Sequence, residues 1–404
     1  MDRKANRPLS RSSYSALGLW SLSLAYFTMG TASITVVGLI NELAADLAVS
    51  KPAIAMLVTV FALTFALAAP LIQVAAGRLP SRTLLLGGLT VMALGCLLTA
   101  LAPGYPEVAG ARVVMALGAA AVGPVASAVG AGLVPPARQG HALAVVFGGM
   151  TLATVLGLPV TTWMGDLLGW RWVFAALAAL TLLTALTIAL LVSDRRAAPP
   201  VSLASFGHVF RHRAAAWAVA MALFHMAAQF SLYALIAPFL QERFGVAPAQ
   251  LPLALLLGGL SSVAGNLLAG RFGDRLGAPL TLKLSVGGLA CAFGSLIVLP
   301  AAPWLGIAGF AFWSLIGMTF YAPQQKRLIA LAPELRNLLL AMNASALYLG
   351  MSLGSAAASQ VWQHLGPWSP PAMSLVFLGL ALAAFVLSRR AEAGTPATHP
   401  PARP

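Results

Sequence analysis

The sequence predicts an all-α membrane protein in which twelve transmembrane helices form two pseudo-symmetric six-helix halves. Three observations lead to this prediction. The chain is 59% hydrophobic and 8% charged, whereas soluble domains are roughly half apolar and about a quarter charged. Its apolar residues occur in long uncharged blocks, and short glycine and arginine patterns of the first half recur in the second. Blocks of about 20 apolar residues span a bilayer as helices.

Twelve windows are long and apolar enough to cross a bilayer. The first window carries no charge and follows four basic residues, as the apolar region of a signal peptide does. Its apolar run is too long for a signal peptide, and eleven more windows follow it, so we expect an uncleaved helix. The windows are 16–40, 53–76, 83–103, 107–134, 139–165, 171–193, 214–241, 250–270, 279–300, 303–325, 337–362 and 369–388.

Basic residues are concentrated on one predicted side of the membrane. Of the 24 Lys and Arg residues, all but Lys51, Arg112, Arg171 and Arg243 lie on the side of the N-terminus. Cytoplasmic loops carry such an excess, so we expect both termini in the cytoplasm and an even number of spans. The net charge of +14 is dispersed over these loops, and no single basic face with stacking aromatics indicates a nucleic-acid partner.

The longest polar interruption divides six windows from six. Within it, Leu203, Phe206 and Phe210 share one helical face, which suits a short helix at the membrane surface. An unstructured linker fits the same residues. The Pro- and Ala-rich end of the chain resembles disordered segments in composition. The predicted parts are a cytoplasmic N-terminal segment (1–15), a first half (16–193), a cytoplasmic linker (194–213), a second half (214–388) and a disordered cytoplasmic tail (389–404).

Two sequence patterns repeat between the halves. "AGRLPSR", beginning at residue 76, and "AGRFGDR", beginning at residue 269, each lie between the second and third windows of a half. Gly157 and Gly169 match Gly354 and Gly366, each 197 positions later. Internal repeats of this kind are typical of secondary transporters, whose substrate site lies near the bilayer midplane.

Several motifs, in their order and spacing, resemble the major facilitator superfamily, and within it the drug/proton antiporter group of arabinose-efflux-permease-like exporters. The likeness extends over residues 16–388. It implies the major facilitator fold in a bacterial inner membrane and export of a small organic molecule or drug by alternating access, with protons as the coupling ion. The motifs are "GLINELAADLAVS", "GRLPSR", "ARVVMALGAAAVGP", "FGGMTLATVLGLPVTTWMGDLLGWRWVF", "YALIAPFLQERFG", "GRFGDRLG" and "LAPELRNLLLAMNASALYLGMSLGSA".

The resemblance also implies a conformational latch in the two arginine-bearing turns on the cytoplasmic side. A carboxylate such as that of Asp274 is stabilised at a helix N-terminus, and breaking such a contact gives a two-state element. Ser81 stands in the first turn where Asp274 stands in the second, so we expect unequal gates held mainly by the second-half turn. The latch residues are Gly77, Arg82, Gly270, Asp274 and Arg275.

Ionisable side chains inside spans are costly and therefore mark candidate sites. Arg112 lies about a turn and a half into the fourth span, where the resembling transporters carry an arginine that tunes or relays protons; snorkelling to the outer head groups is the alternative. His225, near the middle of the seventh span, forms a polar stripe with Gln229 and Tyr233. Histidine titrates near neutral pH, which suits proton coupling, and an ordinary hydrogen-bonded histidine fits the position too.

Further polar residues extend the predicted substrate and proton pathway. Many members of the resembling group carry an acid in span one where this chain has Ser33. Asp166, near the outer end of the fifth span, is a candidate substitute, and a surface position beside Arg171 is the alternative. Gly157 and Pro159 match a glycine/proline motif of the antiporters and predict a bend in the fifth span. The other candidates, which also fit interhelical hydrogen bonding, are Asn266, Gln324 and Asn343.

These features favour a transporter over other classes of protein. We find no metal-ligand cluster, catalytic grouping or phosphate-binding loop, so we expect neither an enzyme nor a cofactor. A sensor is disfavoured because no large soluble domain is present. Import or facilitated diffusion of an anionic metabolite, with Arg112 and His225 as counter-charges, is the alternative to proton-coupled export. We expect a monomer in the lipid bilayer that binds a small-molecule substrate and protons.

Overall fold

The computed structural model describes residues 11–76, 79–135, 138–192 and 212–393. The predicted N-terminal segment up to residue 10, latch residue Gly77, most of the linker and residues 394–404 lie outside this range. For Asp274 the helix backbone is described, but the side chain lies outside the description.

Among the described residues, eight α-helices precede the linker. Ala and Leu, which favour helix, are common in their interiors, and charged residues are few. The helices are α1 (Arg11–Gly38), α2 (Ile40–Asp46), α3 (Lys51–Ala76), α4 (Ser81–Leu101), α5 (Tyr105–Gly132), α6 (Gln139–Leu152), α7 (Leu158–Leu168) and α8 (Trp170–Leu191), with a π-helical turn at Ala153–Gly157 between α6 and α7.

Eight more α-helices lie within residues 212–393. They are α9 (Arg213–Tyr233), α10 (Ile236–Phe244), α11 (Leu251–Arg275), α12 (Ala278–Val298), α13 (Pro303–Met318), α14 (Tyr321–Leu331), α15 (Arg336–Leu365) and α16 (Pro370–Ala393).

Twelve helical segments among the described residues are long and apolar enough to cross a membrane. Each overlaps one of the twelve predicted windows, so the predicted all-α fold with twelve transmembrane helices is confirmed. The largest boundary difference is in the seventh span, where the predicted window continues to residue 241 and the membrane-length helix ends at Tyr233.

The chain folds as two compact units. One contains Met1–Val201 with Ala247–Gly259, and the other contains Ser202–Val246 with Leu260–Pro404. The first part of α11 therefore groups with the first unit and its remainder with the second.

The seventh and tenth predicted spans are interrupted four residues before a proline. In the seventh, residues 234–235 separate α9 from α10, and Pro238 follows. In the tenth, residues 319–320 separate α13 from α14, and Pro323 follows. Proline offers no N–H to the carbonyl four residues earlier, and its ring clashes with that carbonyl. Those carbonyls belong to Ala234 and Thr319, the first residue of each break.

The fifth span contains the same arrangement in a milder form. Its π-helical turn Ala153–Gly157 includes Val155, four residues before Pro159. A π-helical turn absorbs the missing hydrogen bond without ending the helix, and it lies where Gly157 and Pro159 predict a bend. Pro70 and Pro124 lie inside α3 and α5 without such a break. A proline therefore marks where a span can be interrupted and does not by itself require interruption.

The repeated glycines adopt the same conformation in both units. Gly169 has φ +85° directly after α7, and Gly366 has φ +83° directly after α15. This left-handed region is open to glycine and unfavourable for other residues. The 197-residue repeat therefore ends the fifth and eleventh spans in the same way.

Two predicted boundaries need correction. Gly270 and Arg275, expected in a tight turn, lie in the last two turns of α11, because the turn is made by Gly277 with φ +76°. A Cβ at Gly270 would meet nothing within 4 Å, so close packing does not require glycine there. The predicted tail from residue 389 begins inside α16, which continues to Ala393.

Glycines allow helices to approach closely in each unit. In the first, a Cβ at Gly149 would overlap the carbonyl of Ser23 in α1, and one at Gly157 would overlap the side chain of Thr31. In the second, a Cβ at Gly354 would overlap the carbonyl of Ala227 in α9. Close backbone approach through small residues is the usual basis of helix packing in membranes.

Candidate functional site

Arg112 of α5 is completely buried within the first unit. Its guanidinium donates hydrogen bonds to the carbonyl oxygens of Ala32 at 2.7 Å and Ser33 at 2.8 Å, and more weakly to that of Leu57 at 3.4 Å. The guanidinium also lies 4.5 Å from the centre of the Phe61 ring, which is a cation–π distance. Among the described residues, none of its acceptors is a carboxylate.

This environment corrects the snorkelling alternative for Arg112. A side chain that reaches a head group must be exposed at its tip, and that of Arg112 is not. Ser33 takes part through its backbone, while its hydroxyl donates to the carbonyl of Gly30 at 2.7 Å. Carbonyl dipoles and a ring face therefore surround the positive charge of Arg112, and the backbone of Ser33 supplies one of those carbonyls.

The polar stripe of α9 lies in the second unit against the break between α13 and α14. His225 is fully buried, and its ring stacks on that of Phe320 with the centres 3.6 Å apart and the planes 9° from parallel. The Tyr321 ring meets His225 edge-on at 5.9 Å. Neither ring nitrogen of His225 has a hydrogen-bond partner among the described residues.

The other two stripe residues contact α13. Trp313 donates from its indole N–H to the side-chain oxygen of Gln229. The Tyr233 ring lies 6.1 Å from that of Trp313 and 5.3 Å from that of Phe230. Aromatic rings of α9 and α13 thus lie around Gln229 and Tyr233.

Three further predicted residues lie elsewhere in the second unit. Gln324 of α14 donates to the carbonyl of Ala218 at 2.6 Å, and its side-chain oxygen has no partner among the described residues. Asn343 of α15 is buried and its side-chain oxygen is likewise unpaired. Asn266 of α11 is exposed, and no described contact joins it to the stripe.

Asp166 of α7 lies near a residue that the sequence reasoning missed. Its carboxyl is close to that of Glu42 in α2. Arg171, considered as its neighbour, instead forms an ion pair with Asp46, which also accepts from the Trp170 indole at 3.0 Å. Two nearby carboxylates repel each other, so a proton on Glu42 relieves this repulsion.

The two acidic residues of α2 have opposite electrostatic environments. Burial, with the neighbouring Asp166 carboxyl as a lesser cause, raises the pKa of Glu42 to about 7. The hydrogen bond from Arg171 lowers the pKa of Asp46. Glu42 therefore titrates near neutral pH, while Asp46 stays ionised.

Arg82 is the predicted latch residue whose side-chain contact is described in the first unit. It lies in the first turn of α4 and donates to the carbonyl of Ala189 near the end of α8. The negative end of a helix dipole favours a cation at such a position. Arg275 ends α11 with an exposed side chain.

A second buried arginine joins three helices of the second unit. Arg327 of α14 is only 4% exposed and donates to the Ser388 hydroxyl at 2.7 Å and the Glu392 carboxylate at 3.4 Å, both on α16. Ser388 in turn donates to the carbonyl of Ala214 in α9 at 2.6 Å. Residues beyond 388, expected to be a tail, therefore take part in packing.

Sequence reasoning missed Glu42, Trp313 and Gly317. The helix break that includes Phe320 could have been predicted from the sequence, since Pro323 stands three residues later. Nothing distinguishes Gly317 among 38 glycines before the neighbouring helix is in place.

Comparison with known proteins shows a consistent family likeness. A family model described as Major Facilitator Superfamily matches residues 22–355. The chain is 29% identical over 386 residues to "Inner membrane transport protein YdhP" of Escherichia coli (strain K12), covering 93% of this chain and 97% of the relative. It is 34% identical over 266 residues to "Chloramphenicol resistance protein" of Streptomyces lividans, covering 64% of this chain and 67% of the relative.

Solved structures share the architecture at low identity. A bacterial homologue of the human lysosomal transporter Spinster, inward-facing and unoccupied, superposes with a TM-score of 0.73 at 18% identity, covering 97% of this chain and all of that one. A POT family transporter in complex with 5-aminolevulinic acid gives a TM-score of 0.77 at 11% identity, covering 93% and 96% of the two chains. At such identities the likeness concerns the fold alone.

Proposed function

Since this chain belongs to the Major Facilitator Superfamily, we propose that it exports a small organic molecule by alternating access in exchange for protons. It is a membrane transporter of twelve helices and a multi-pass inner membrane protein. The proposal adds the direction of transport, the substrate class, the coupling ion and the location of both termini in the cytoplasm. The excess of basic residues in the loops on the side of the N-terminus supports that location of the termini.

The observation that carries the proposal is the unpaired imidazole of His225 beside two interrupted spans. Interrupted helices at membrane depth occur where the backbone lines a cavity or is enclosed by protein. The surrounding groups are rings, with the Gln229 amide one turn away, and such a lining suits a largely apolar molecule with few polar groups. Protonation of His225 changes the charge of this lining, which links substrate affinity to the proton.

The relatives support the same direction of transport. The Streptomyces lividans relative is named for chloramphenicol resistance, and chloramphenicol is a neutral organic molecule with an aromatic ring. We therefore take it as the first compound to test.

Import of an anionic metabolite draws less support from the same contacts. Arg112 would have to serve as a counter-charge, yet three backbone carbonyls and a ring face already surround its guanidinium.

The division into six-helix halves and the unequal latch remain parts of the proposal. Arg82 has its acceptor within the first unit, and Ser81 stands where a latch carboxylate is expected, so we assign the gating carboxylate to Asp274. Asp274→Asn is expected to lower transport and to change the labelling of single cysteines placed at the cytoplasmic ends of the helices. Unchanged transport and labelling would remove this assignment.

Everted inner-membrane vesicles test the main proposal. Vesicles containing the protein receive labelled chloramphenicol and related neutral compounds with an imposed proton gradient, acidic inside. We expect accumulation that an uncoupler abolishes and that His225→Gln reduces. The matched control is His364→Gln, because His364 lies exposed at the end of α15. Accumulation that ignores the uncoupler contradicts proton antiport, and uptake by intact cells contradicts export.

A further inference from the structure

Gly317, near the end of α13, lies against two of the three residues of the α9 stripe, Gln229 and His225. A Cβ at this position would overlap the side-chain nitrogen of Gln229 and lie 3.1 Å from its amide carbon. The Gly317 backbone also approaches the His225 imidazole, although neither ring nitrogen has a partner in full hydrogen-bond geometry among the residues that the structure describes. One residue without a side chain thus borders both groups.

Trp313 and Gly317 hold the Gln229 amide from two directions. They are four residues apart on α13, so they share one face of that helix. Trp313 binds the amide oxygen through its indole N–H, and the space at Gly317 receives the amide nitrogen. Because Trp313 is 2% exposed, its indole has little freedom to leave this contact.

Gln229 would otherwise be the natural partner of His225. The two residues are four apart on α9, a spacing at which side chains on one helix face meet. An unpaired polar group in an apolar interior is unfavourable, so a free Gln229 amide would turn toward the imidazole. The contacts with Trp313 and Gly317 prevent this.

We propose that Gly317 is a positioning residue that keeps the Gln229 amide bound to Trp313 and so leaves the His225 imidazole unpaired and available. This inference rests on the proposed role of His225 in transport. It predicts that a single methyl group at position 317 displaces Gln229, which then hydrogen-bonds to His225.

Transport measurements in a double-mutant cycle give the first test. Gly317→Ala is expected to lower the initial rate of chloramphenicol accumulation about tenfold at equal abundance of the protein. In a Gln229→Ala background, Gly317→Ala is expected to lower the initial accumulation rate less than about twofold, because the group that it would displace is absent. Gly294→Ala in α12, where a Cβ meets nothing within 4 Å, is the control. Equal losses in both backgrounds, or no loss in the parent, would overturn the inference.

A spectroscopic test does not depend on transport. Protein carrying ring-labelled ¹⁵N histidine is studied by solid-state NMR in lipid, and the His225 signals are identified by their loss in His225→Gln. Gly317→Ala is expected to shift one His225 nitrogen toward a hydrogen-bonded value, and adding Gln229→Ala is expected to reverse the shift. An unmoved signal overturns the inference.

Trp313→Phe provides the same test without added bulk. It removes the indole N–H and frees Gln229, so the same ¹⁵N shift is expected even if Gly317→Ala fails to reach the membrane. Absence of the shift in a folded Trp313→Phe protein also overturns the inference. If the shifts occur but no vesicle accumulates any compound, the positioning role holds and the proposed export is what fails.

Discussion

Arg112 binds Ser33 through the backbone carbonyl, 2.8 Å away, and not through the side chain. The hydroxyl of Ser33 is engaged with Gly30. Ser33→Ala should therefore leave transport within about twofold of the parent, since the Arg112 contact persists.

Arg112→Lys should be far more damaging. Lysine has one compact ammonium group and cannot reproduce the planar fork that reaches Ala32, Ser33 and Leu57 together. Because hydrogen bonds from a charged group each contribute about 1.5–3 kcal/mol, loss of one or two lowers the transport rate at least about tenfold. Vesicle accumulation at matched protein abundance measures both variants. A lysine variant as active as the parent would contradict the view that the fork is required.

Glu42 should make thermal stability depend on pH in an unusual direction. Its pKa in the folded protein, about 7, is above the ordinary value of 4.5, so the folded state binds the proton more tightly than the unfolded chain. Its stabilising contribution is complete below pH 4.5 and is lost as the pH rises through 7. The Glu42→Gln variant should therefore have the same free energy of unfolding as the parent at pH 4.5. At pH 8 its free energy of unfolding should be higher, by on the order of 1 kcal/mol given the partial exposure of the group.

Asp46→Asn is the matched control for Glu42→Gln. Its pKa is lowered by Arg171, so the ionised form stabilises the fold at neutral pH and this contribution disappears on acidification. The two variants should shift the unfolding temperature at pH 8 in opposite directions in detergent. Shifts of the same sign would contradict the assigned environments.

Two adjacent glycines of α6 should respond very differently to alanine. A Cβ at Gly149 would overlap the Ser23 carbonyl, whereas one at Gly148 would meet nothing within 4 Å. Overpacking typically costs 1–3 kcal/mol, so Gly149→Ala should lower the unfolding temperature and the yield of folded protein. Gly148→Ala should be neutral or stabilising by up to about 1 kcal/mol, because alanine favours helix. Similar behaviour of the two variants would argue against the close contact of α1 with α6.

Glu392 should stabilise the second unit although it lies beyond the last predicted span. Glu392→Gln removes the charge facing Arg327, whose side chain is 4% exposed while that of Glu392 is 40% exposed. Because the pair is partly exposed, we expect the free energy of unfolding to fall by about 1 kcal/mol, which would be measured as a lower unfolding temperature. Arg389→Ala, which removes an exposed partner of the same carboxylate, should have a smaller effect. A larger effect of Arg389→Ala would contradict the importance of the Arg327 contact.

The spans could be predicted from the sequence because hydropathy acts over about 20 residues and tolerates local errors. The interruptions within them could not be placed as well. Pro238 and Pro323 have the same missing N–H as Pro70 and Pro124, and only tertiary packing decides which helix breaks. The left-handed Gly169 and Gly366 were foreseeable as a matched pair, since a repeat 197 residues long implies equivalent conformations.

Polar residues inside spans were foreseeable as candidates, whereas their partners were not. Arg112 and His225 stand out in apolar sequence. The carbonyls that receive Arg112 belong to unremarkable positions, and the rings around His225 come from a helix nearly 100 residues away. Asp166 shows the same difficulty: Arg171 was considered as its neighbour, whereas Arg171 pairs with Asp46 and the Asp166 carboxyl lies near that of Glu42.

The breaks at Pro238 and Pro323 change which atoms a solute can meet at membrane depth. Neither proline offers an N–H to the carbonyls of Ala234 and Thr319, so these oxygens are left to other donors. Replacing a side chain leaves these backbone oxygens in place, and position 234 is already alanine. Backbone amide-to-ester exchange at the residues donating to them would register their contribution.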